Sequence, residues 1–401
     1  MSSPSLMSGF PSAAADQVTL ANWRTAPYMT WAFQHVREIV PSADIPSAPG
    51  DVWKLTPEPV DFSSFGFEHG GKRYGLDRFV DETDTDGLVI LHRGKVVLER
   101  YGNGMAADTP HILMSVSKSL TAIVAGILIE QGRLDPEQKI ASIIPELKDT
   151  VYSSATVRHV LDMRVGIDFD EDYLATSGPI VEYRKATNWN PLAPGERPND
   201  LRTFLGSLTA RSGPDGGPFH YVSTNTDLLG WLLERTSGIR FADLMSNLLW
   251  KPIGAQCPAY ITVDRLGAPR CAGGICITTM DLARVGQLIV QNGKRGDTQI
   301  IPARWIEDTL SGGDPKAWAA GDMISYFGDR PMHYRNKWYV LRDSNIAFGL
   351  GVYGQNVFVD KANEIVIAKL SSQPPPLDKN LIDLTIKFAE AMSDHVSRHL
   401  A

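Results

Sequence analysis

A serine and a lysine three residues apart form the first candidate for chemistry, in the segment Ser115-Val116-Ser117-Lys118. An apolar stretch rich in helix formers follows, and residues i and i+3 of a helix share one face. The unpaired N–H groups and positive dipole of a first helical turn favour negative charge there, so the serine's own N–H could bind an oxyanion. A lysine in a partly apolar site loses proton affinity and can deprotonate a serine nucleophile. The alternative is a helix-capping serine followed by a solvated lysine.

Tyr221 is the second candidate, because it lies just before another strong helical pattern in the segment Tyr221-Val222-Ser223. A buried tyrosine beside a lysine can carry a proton to a leaving group. An ordinary core aromatic is the alternative interpretation of this residue.

Several other catalytic signatures do not occur in the sequence. There is no G-x-S-x-G elbow, no H-E-x-x-H zinc motif and no G-x-x-x-x-G-K-[ST] phosphate loop. Residues 349–354 fit G-x-G-x-x-G, but a strand pattern follows where dinucleotide binding needs a helix. The three cysteines, Cys257, Cys271 and Cys276, are too few for a disulfide framework and are interpreted as small buried thiols. We therefore expect no metal site.

The composition is that of a soluble globular protein. The 401 residues are 43% hydrophobic and 21% charged, with a net charge of −7. No basic run suggests nucleic acid, and no apolar run reaches the roughly 18 residues of a membrane span. Residues 1–17 hold no Lys or Arg and no long apolar core, so we expect no secretory signal and a cytoplasmic location.

Patterns along the chain predict strands near both ends and helices between them. Hairpins are predicted at 88–102 and 356–370, and helices after Ser115, after Tyr221, after a cap at Thr278 or Thr279, and over 380–400. Residues 165–220 are predicted to be long loops because they hold many Gly, Pro and Asn residues.

These elements predict an α/β (α+β) fold in which both ends of the chain build one lobe and a helical lobe is inserted. The expected divisions are a loose N-terminal segment (1–20), an α/β lobe (21–105 and 262–401) and a helical lobe that carries Ser115 (106–261).

Five ordered segments resemble the serine β-lactamase and penicillin-binding protein superfamily, in its class C and esterase branch. They are HILMSVSKSLTAIVAGILIEQGRLD, VRHVLDMRVGIDFDEDY, FHYVSTNTDLLGWLLERTSG, AGGICITTMDLARVG and GVYGQNVFVD. Within that superfamily the chain is most similar to the 6-aminohexanoate-dimer hydrolases, which degrade nylon oligomers. The resemblance implies a β-lactamase-like antiparallel sheet flanked by helices, with an active site between the two lobes and no cofactor.

The resemblance also implies roles for particular residues. Ser115 would be the nucleophile, Lys118 its general base and Tyr221 the donor to the leaving group, with the backbone N–H groups of Ser115 and Val352 as the oxyanion hole. The positions expected to contact substrate are Tyr173, Arg184, Trp189, Ser223, Ala272 and Tyr353. The expected partner is a small-molecule ester or amide, and family analogy suggests a homodimer.

Three departures from the family pattern bear on the substrate. Residues 353–355 read Tyr-Gly-Gln where the superfamily has Lys-Thr-Gly or His-x-Gly, so no cation is expected there to bind a β-lactam carboxylate. Arg184 replaces an acidic residue of amide-cleaving members, and Ala272 replaces Asn. Ester hydrolysis is therefore favoured over cleavage of linear amides such as the 6-aminohexanoate dimer.

Two alternatives for the function stay open at this point: a β-lactamase or D-alanyl peptidase-like activity, and a non-catalytic binding scaffold. Arg184 also has two interpretations. Its side chain either lines the mouth of the substrate pocket or lies on the surface, paired with Glu182 or another acidic residue.

Overall fold

Sixteen strands occur in the computed structural model, which describes residues 6–399 and, at residue 399, the backbone only. Their bounds are β1 (Ser42–Ile45), β2 (Thr56–Pro57), β3 (Phe67–His69), β4 (Lys72–Tyr74), β5 (Thr85–His92), β6 (Lys95–Tyr101), β7 (His111–Ile112), β8 (Ala259–Thr262), β9 (Ile275–Ile277), β10 (Lys294–Arg295), β11 (Thr298–Gln299), β12 (Met332–Arg335), β13 (Trp338–Leu341), β14 (Ile346–Gly351), β15 (Gln355–Asp360) and β16 (Ile365–Ser371).

Fourteen α-helices lie within the same described residues. Their bounds are α1 (Met29–Ala32), α2 (Leu76–Glu82), α3 (Val116–Glu130), α4 (Ile140–Ile143), α5 (Val157–Leu161), α6 (Pro179–Ala186), α7 (Leu201–Gly206), α8 (Thr224–Ser237), α9 (Phe241–Met245), α10 (Thr279–Val290), α11 (Ala303–Ser311), α12 (Pro315–Ala319), α13 (Ile324–Phe327) and α14 (Lys379–His399). None of these helices is long and apolar enough to cross a membrane.

An eight-stranded sheet joins the two ends of the chain. Its strand order is β12-β13-β14-β15-β16-β5-β6-β2, and every pair is antiparallel except the short pair β2 and β6. β5 and β16 meet at its centre, where Leu91 lies opposite Val366 and Val89 opposite Ala368. Both predicted hairpins, β5–β6 and β15–β16, are confirmed.

The side chains of the central strands alternate between two hydrophobic cores. Val89 and Leu91 belong to the core that contains α3 and α10, whereas Leu88 and Ile90 belong to the core on the opposite face, with α14. Successive residues of a strand point to opposite faces. A strand covered by helices on both faces is buried along its whole length, as β5 is, and the middle of β5 is accordingly apolar from Leu88 to Leu91.

A second, four-stranded sheet positions the start of α3. Its order is β1-β8-β9-β7, and β7 ends three residues before Ser115. Leu113, the residue after β7, donates its N–H to the carbonyl of Ile275 at 2.9 Å. The N–H of Ile275 in turn donates to Ser117 Oγ, in α3, at 3.2 Å. Ile275 of β9 thus holds both the segment before α3 and the first turn of that helix, with one hydrogen bond to each.

The prediction of loops throughout 165–220 was wrong, since α6 and α7 lie there; α6 begins at Pro179 and Asp200 caps α7 by accepting from the Thr203 N–H.

Residues 1–5 of the expected loose segment lie outside the described residues. The rest of that segment includes a 3-10 helix (Ala14–Asp16) and the buried Val18. The lobe boundaries stay predictions.

The three cysteines are free thiols, and only Cys271 and Cys276 are buried, whereas Cys257 is half-buried. Within residues 6–399, no group of three His, Cys, Asp or Glu side chains has the geometry of a metal site.

Candidate active site

Ser115 stands on a tight turn between β7 and α3. The preceding residue, Met114, is buried and has a φ of +45°, a left-handed conformation that costs a non-glycine residue about 1–2 kcal/mol. Ser115 then takes the N-cap position of α3. The turn therefore directs the serine side chain to the helix end, where it is 8% exposed and lines a cavity.

Lys118 lies beside Ser115 one helical turn later. Its Nζ donates to Ser115 Oγ at 2.8 Å and to the carbonyl of Ala272 at 2.7 Å. Burial lowers the pKa of Lys118 from 10.5 to about 7; the negative charges of Glu171 and Asp227 oppose this effect, and the positive charge of Arg270 adds to it. A large fraction of Lys118 is therefore uncharged near neutral pH and able to accept a proton.

Tyr221 approaches the same pair from the segment before α8. Lys118 Nζ lies 4.9 Å from the centre of the Tyr221 ring, and the Tyr221 hydroxyl interacts with the side chain of Ser115. Burial and the charge of Glu171 raise the pKa of Tyr221 well above its ordinary value, although the contact with Ser115 opposes them. The phenol therefore stays protonated and can serve as a proton donor.

Glu171 is a site residue that the sequence did not reveal. Both the N–H and the hydroxyl of Ser223 donate to its carboxylate, and the Tyr173 hydroxyl donates to it at 2.9 Å. Its charge raises the pKa of both Lys118 and Tyr221. Glu171 stands in a run of acidic residues at 168–172, and nothing in that run distinguishes it from its neighbours.

A buried ion pair orients the segment that supports Lys118. Asp227, in α8, contacts Arg270 Nη1 at 2.5 Å, and its other oxygen accepts from the N–H of Ala272 at 2.7 Å. Both side chains are almost fully buried. The pair thus fixes Ala272, whose carbonyl accepts from Lys118. The hydrogen bond between Lys118 and Ala272 joins residues more than a hundred positions apart, and no pattern in the sequence indicated it.

The end of β14 passes directly alongside Ser115. A Cβ added at Gly351 would lie 3.0 Å from the backbone nitrogen of Ser115 and 2.7 Å from the carbonyl oxygen of Leu113. Val352, the next residue, lines the same cavity as Ser115. Only glycine permits this close approach, which brings the backbone of residues 351–352 beside the N–H of the serine.

Two cavities adjoin at this centre. The smaller, of about 40 Å³, is lined by Ser115, Val352 and all six residues expected to contact substrate (Tyr173, Arg184, Trp189, Ser223, Ala272 and Tyr353), together with Arg24, Met114, Glu171, Ile180, Arg270 and Gly273. The larger, of about 370 Å³, has Tyr221 in its wall. Glu171 and Tyr173 belong to both cavities.

The larger cavity is rich in acidic side chains. Asp170, Asp172 and Asp322 line it together with Glu171, and His220 Nδ1 lies 2.6 Å from Asp322 Oδ2. Burial lowers the pKa of His220, but the hydrogen bond and charge of Asp322 outweigh burial, so the net effect raises it.

Arg184 faces the smaller cavity and is 7% exposed. Its guanidinium donates to the carbonyls of Ala175 at 3.2 Å and Asp172 at 3.0 Å. Glu182 contacts the neighbouring Lys185 instead. The alternative that Arg184 is a surface partner of Glu182 was therefore wrong.

The expectation that no cation lies near residues 353–355 also needs correction. Arg24 and Arg184 line the cavity with Tyr353, and both charges act on the Tyr353 hydroxyl. Arg184 comes from α6, and Arg24 from a segment more than 300 residues before Tyr353. The residues of the 353–355 motif therefore give no sign of either cation.

The fold, with a buried serine and lysine in hydrogen-bond contact, defines a serine hydrolase. Comparison with known proteins agrees. A family model described as Beta-lactamase matches residues 76–390. The 6-aminohexanoate-dimer hydrolase of Paenarthrobacter ureafaciens is 35% identical over 372 residues, which are 92% of this chain and 91% of that protein. The chain belongs to the beta-lactamase family.

Solved structures show the same fold. A Bacillus anthracis protein assigned as a 6-aminohexanoate-dimer hydrolase superposes with a TM-score of 0.86 at 25% identity, over 97% of this chain and 98% of that one. A family VIII carboxylesterase superposes with a TM-score of 0.59 at 14% identity, over 79% of this chain and 95% of that one, and this second likeness bears on the fold alone.

Proposed function

We propose that the chain hydrolyses carboxylic esters, and more slowly linear amides, through an acyl-enzyme on Ser115. The observation that carries this proposal is the 2.8 Å contact between Ser115 Oγ and Lys118 Nζ, with a lysine pKa of about 7. A serine hydroxyl needs a base at hydrogen-bond distance that is unprotonated at the working pH, and Lys118 meets both requirements.

The acylation step uses three side chains. Lys118 takes the Ser115 proton as Oγ attacks the carbonyl carbon, and the resulting oxyanion accepts from the N–H groups of Ser115 and Val352. Tyr221 donates its proton to the departing oxygen or nitrogen, and Lys118 returns the first proton to Tyr221. The carbonyl–leaving-group bond breaks and the acyl group stays on Ser115. Water then attacks the acyl carbonyl carbon as Lys118 takes one of its protons. The bond between that carbon and Ser115 Oγ breaks, Lys118 passes the proton to Oγ, and the acid leaves.

Ester cleavage is the stronger part of the proposal. An amide substrate with a positively charged acyl end, such as the 6-aminohexanoate dimer that names the Paenarthrobacter relative, would meet Arg184 rather than an acidic side chain. β-Lactam hydrolysis is the second candidate, because Arg24 and Arg184 supply cations in the smaller cavity.

Active-site labelling and a substrate panel test the proposal. A fluorophosphonate should add to Ser115, seen as a mass increase on the peptide that contains it, and should not label Ser115→Ala. The panel holds a short acyl ester, a linear amide and a chromogenic β-lactam, and the ester should give the highest kcat/KM. An unlabelled Ser115 in folded protein without turnover of any substrate would favour the binding scaffold instead. A homodimer and a cytoplasmic location stay predictions.

A further inference from the structure

We propose that Arg24 and Arg184 form an anion-binding subsite in the smaller cavity, which selects esters or amides whose acyl portion carries a carboxylate. This inference rests on the proposed function, because it names the substrate class of the same site. It concerns the two cations that the acylation step does not use.

Arg184 is fixed in place without being neutralised. Two of its five guanidinium N–H groups donate to the carbonyls of Ala175 and Asp172, which are neutral acceptors. Burial lowers the pKa of Arg184, but an arginine starts so high that it stays charged. The backbone thus holds a cation at the wall of a cavity that also contains the candidate nucleophile.

Arg24 is a second cation without a carboxylate partner. Its Nη2 donates to the carbonyl of Trp189 at 3.2 Å and to the side chain of Asn190. Its Nε is buried and has no hydrogen-bond partner within residues 6–399. Its guanidinium carbon lies 5.3 Å and 5.7 Å from the ring centres of Trp23 and Trp189. A buried donor that lacks an acceptor is costly, so a ligand oxygen that accepted from it would be favoured.

The cavity has an excess of positive charge. Asp227 neutralises Arg270. Glu171 also lines the cavity and its charge acts on Arg184, so Arg24, Arg184 and Glu171 together leave one net positive charge. Neither Arg24 nor Arg184 forms a salt bridge within the described part of the chain. Burial lowers the pKa of Arg24 to about 10, and the charges of Arg184 and Arg270 contribute to this effect. A bound anion would offset the repulsion among these cations.

The placement of the two cavities assigns this subsite to the acyl portion. Tyr221, the proposed donor to the leaving group, lines the larger cavity, whereas Val352, with its oxyanion-binding N–H, lines the smaller one. A carbonyl bound at Ser115 would therefore extend its leaving group past Tyr221 and its acyl chain towards Arg24 and Arg184. A carboxylate suits this end because its two oxygens match the fork of a guanidinium.

Three methyl esters of similar length test the charge preference with one leaving group. Monomethyl adipate carries a carboxylate at the far end of the acyl chain, methyl hexanoate carries no charge, and methyl 6-aminohexanoate carries an ammonium. We expect kcat/KM, measured by methanol release at pH 8, to fall in that order. Because hydrogen bonds to charged groups are stronger than those between neutral groups, Arg24→Gln and Arg184→Gln should each reduce the anionic-to-neutral ratio by about tenfold or more.

Matched variants separate the subsite from general effects. Arg304→Gln removes an exposed arginine that pairs with Glu130 and lines neither cavity, so it should leave the ratio as in the parent protein. Arg184→Lys keeps the positive charge but loses the parallel N–H donors of the guanidinium, so it should give an intermediate ratio. It also replaces Arg184→Gln in the test if that variant does not fold. A parent protein that prefers the neutral or ammonium ester, or a ratio unchanged in both glutamine variants, would overturn the subsite.

A binding measurement keeps this test independent of turnover. In Ser115→Ala, monomethyl adipate should bind more tightly than methyl hexanoate by calorimetry, and adding Arg184→Gln should remove the difference. If the parent protein hydrolyses no ester but this preference is present, the proposed function fails and the subsite stands. If esters are hydrolysed without the preference in binding or turnover, the subsite fails and the function stands.

Discussion

Acidification below pH 7 should slow acylation of Ser115 progressively, because a growing fraction of Lys118 becomes protonated. Burial lowers its pKa from 10.5 to about 7. The difference corresponds to roughly 5 kcal/mol between the two protonation states of the amine, on the scale of 1.36 kcal/mol per pKa unit. At pH 7 an ordinary lysine would be uncharged in only about one molecule in 3,000, whereas Lys118 would be uncharged in about half.

The sign of the pH dependence follows from which form is active. The base must be unprotonated, so kcat/KM should rise about tenfold per pH unit up to about pH 7 and then level off. Tyr221 must stay protonated, and its pKa is raised by burial, so no falling limb is expected below about pH 10. The assay is kcat/KM for a neutral p-nitrophenyl ester from pH 5 to 9.5, with the rate of fluorophosphonate labelling as a second readout.

Two isosteric variants test whether the rising limb of the kcat/KM profile reports the titration of Lys118. Glu171 raises the pKa of Lys118, so Glu171→Gln should move the rising limb to lower pH. Asp322→Asn is the matched control: Asp322 lines the larger cavity but is not among the charges that act on Lys118, so the limb should stay in place. A rate independent of pH between 5 and 9, or a limb that moves to higher pH in Glu171→Gln, would refute Lys118 as the base.

Three further substitutions test separate parts of the site. Ser115→Ala and Lys118→Ala should each lower kcat/KM about 10³-fold or more, since nucleophile and base act as one unit, and near-normal turnover in either folded variant would contradict the mechanism. Tyr221→Phe should slow amide cleavage more than cleavage of a p-nitrophenyl ester, because an amine must be protonated to leave; equal losses would show a structural role. Asp227→Asn leaves its buried arginine partner unpaired and should lower the free energy of unfolding by about 3–5 kcal/mol in a denaturant titration. Glu146→Gln, in a half-exposed ion pair, should lower it by less than about 1 kcal/mol.

The parts of the molecule with local signals were predictable from the sequence. The spacing of Ser115 and Lys118 places them on one face of α3 wherever that helix lies, and their hydrogen bond follows from helix geometry. The hairpins were likewise specified by paired runs of β-branched and aromatic residues around a short turn, and the long helices by helical apolar patterns. α6 and α7 were missed because a segment rich in Gly, Pro and Asn hides short helices whose stability comes from packing rather than from propensity.

The environment of the serine was less predictable because it is assembled from distant segments. Glu171, Asp227 and Arg270 set the charge around Lys118, and each acts across at least fifty residues of chain. A substitution such as Arg184 in place of an acidic residue could be recognised from the family pattern. That it joins Arg24 at the same cavity could not, because no sequence rule relates the two positions.

The opposite character of the two cavities suggests how this site can change substrate without changing its chemistry. In the proposed mechanism, Ser115, Lys118 and Tyr221 act on the atoms of the scissile bond, which every ester or amide shares. Arg24 and Arg184 in the smaller cavity, and Asp170, Asp172 and Asp322 in the larger one, lie beyond those atoms, on loops and short helices. These five side chains contribute binding energy that depends on the ends of the substrate. The charges that set the pKa of Lys118 are others: Glu171, Asp227 and Arg270. Replacing an acidic residue by arginine at position 184 can therefore reverse the preferred charge of the acyl end while the acylation machinery is retained.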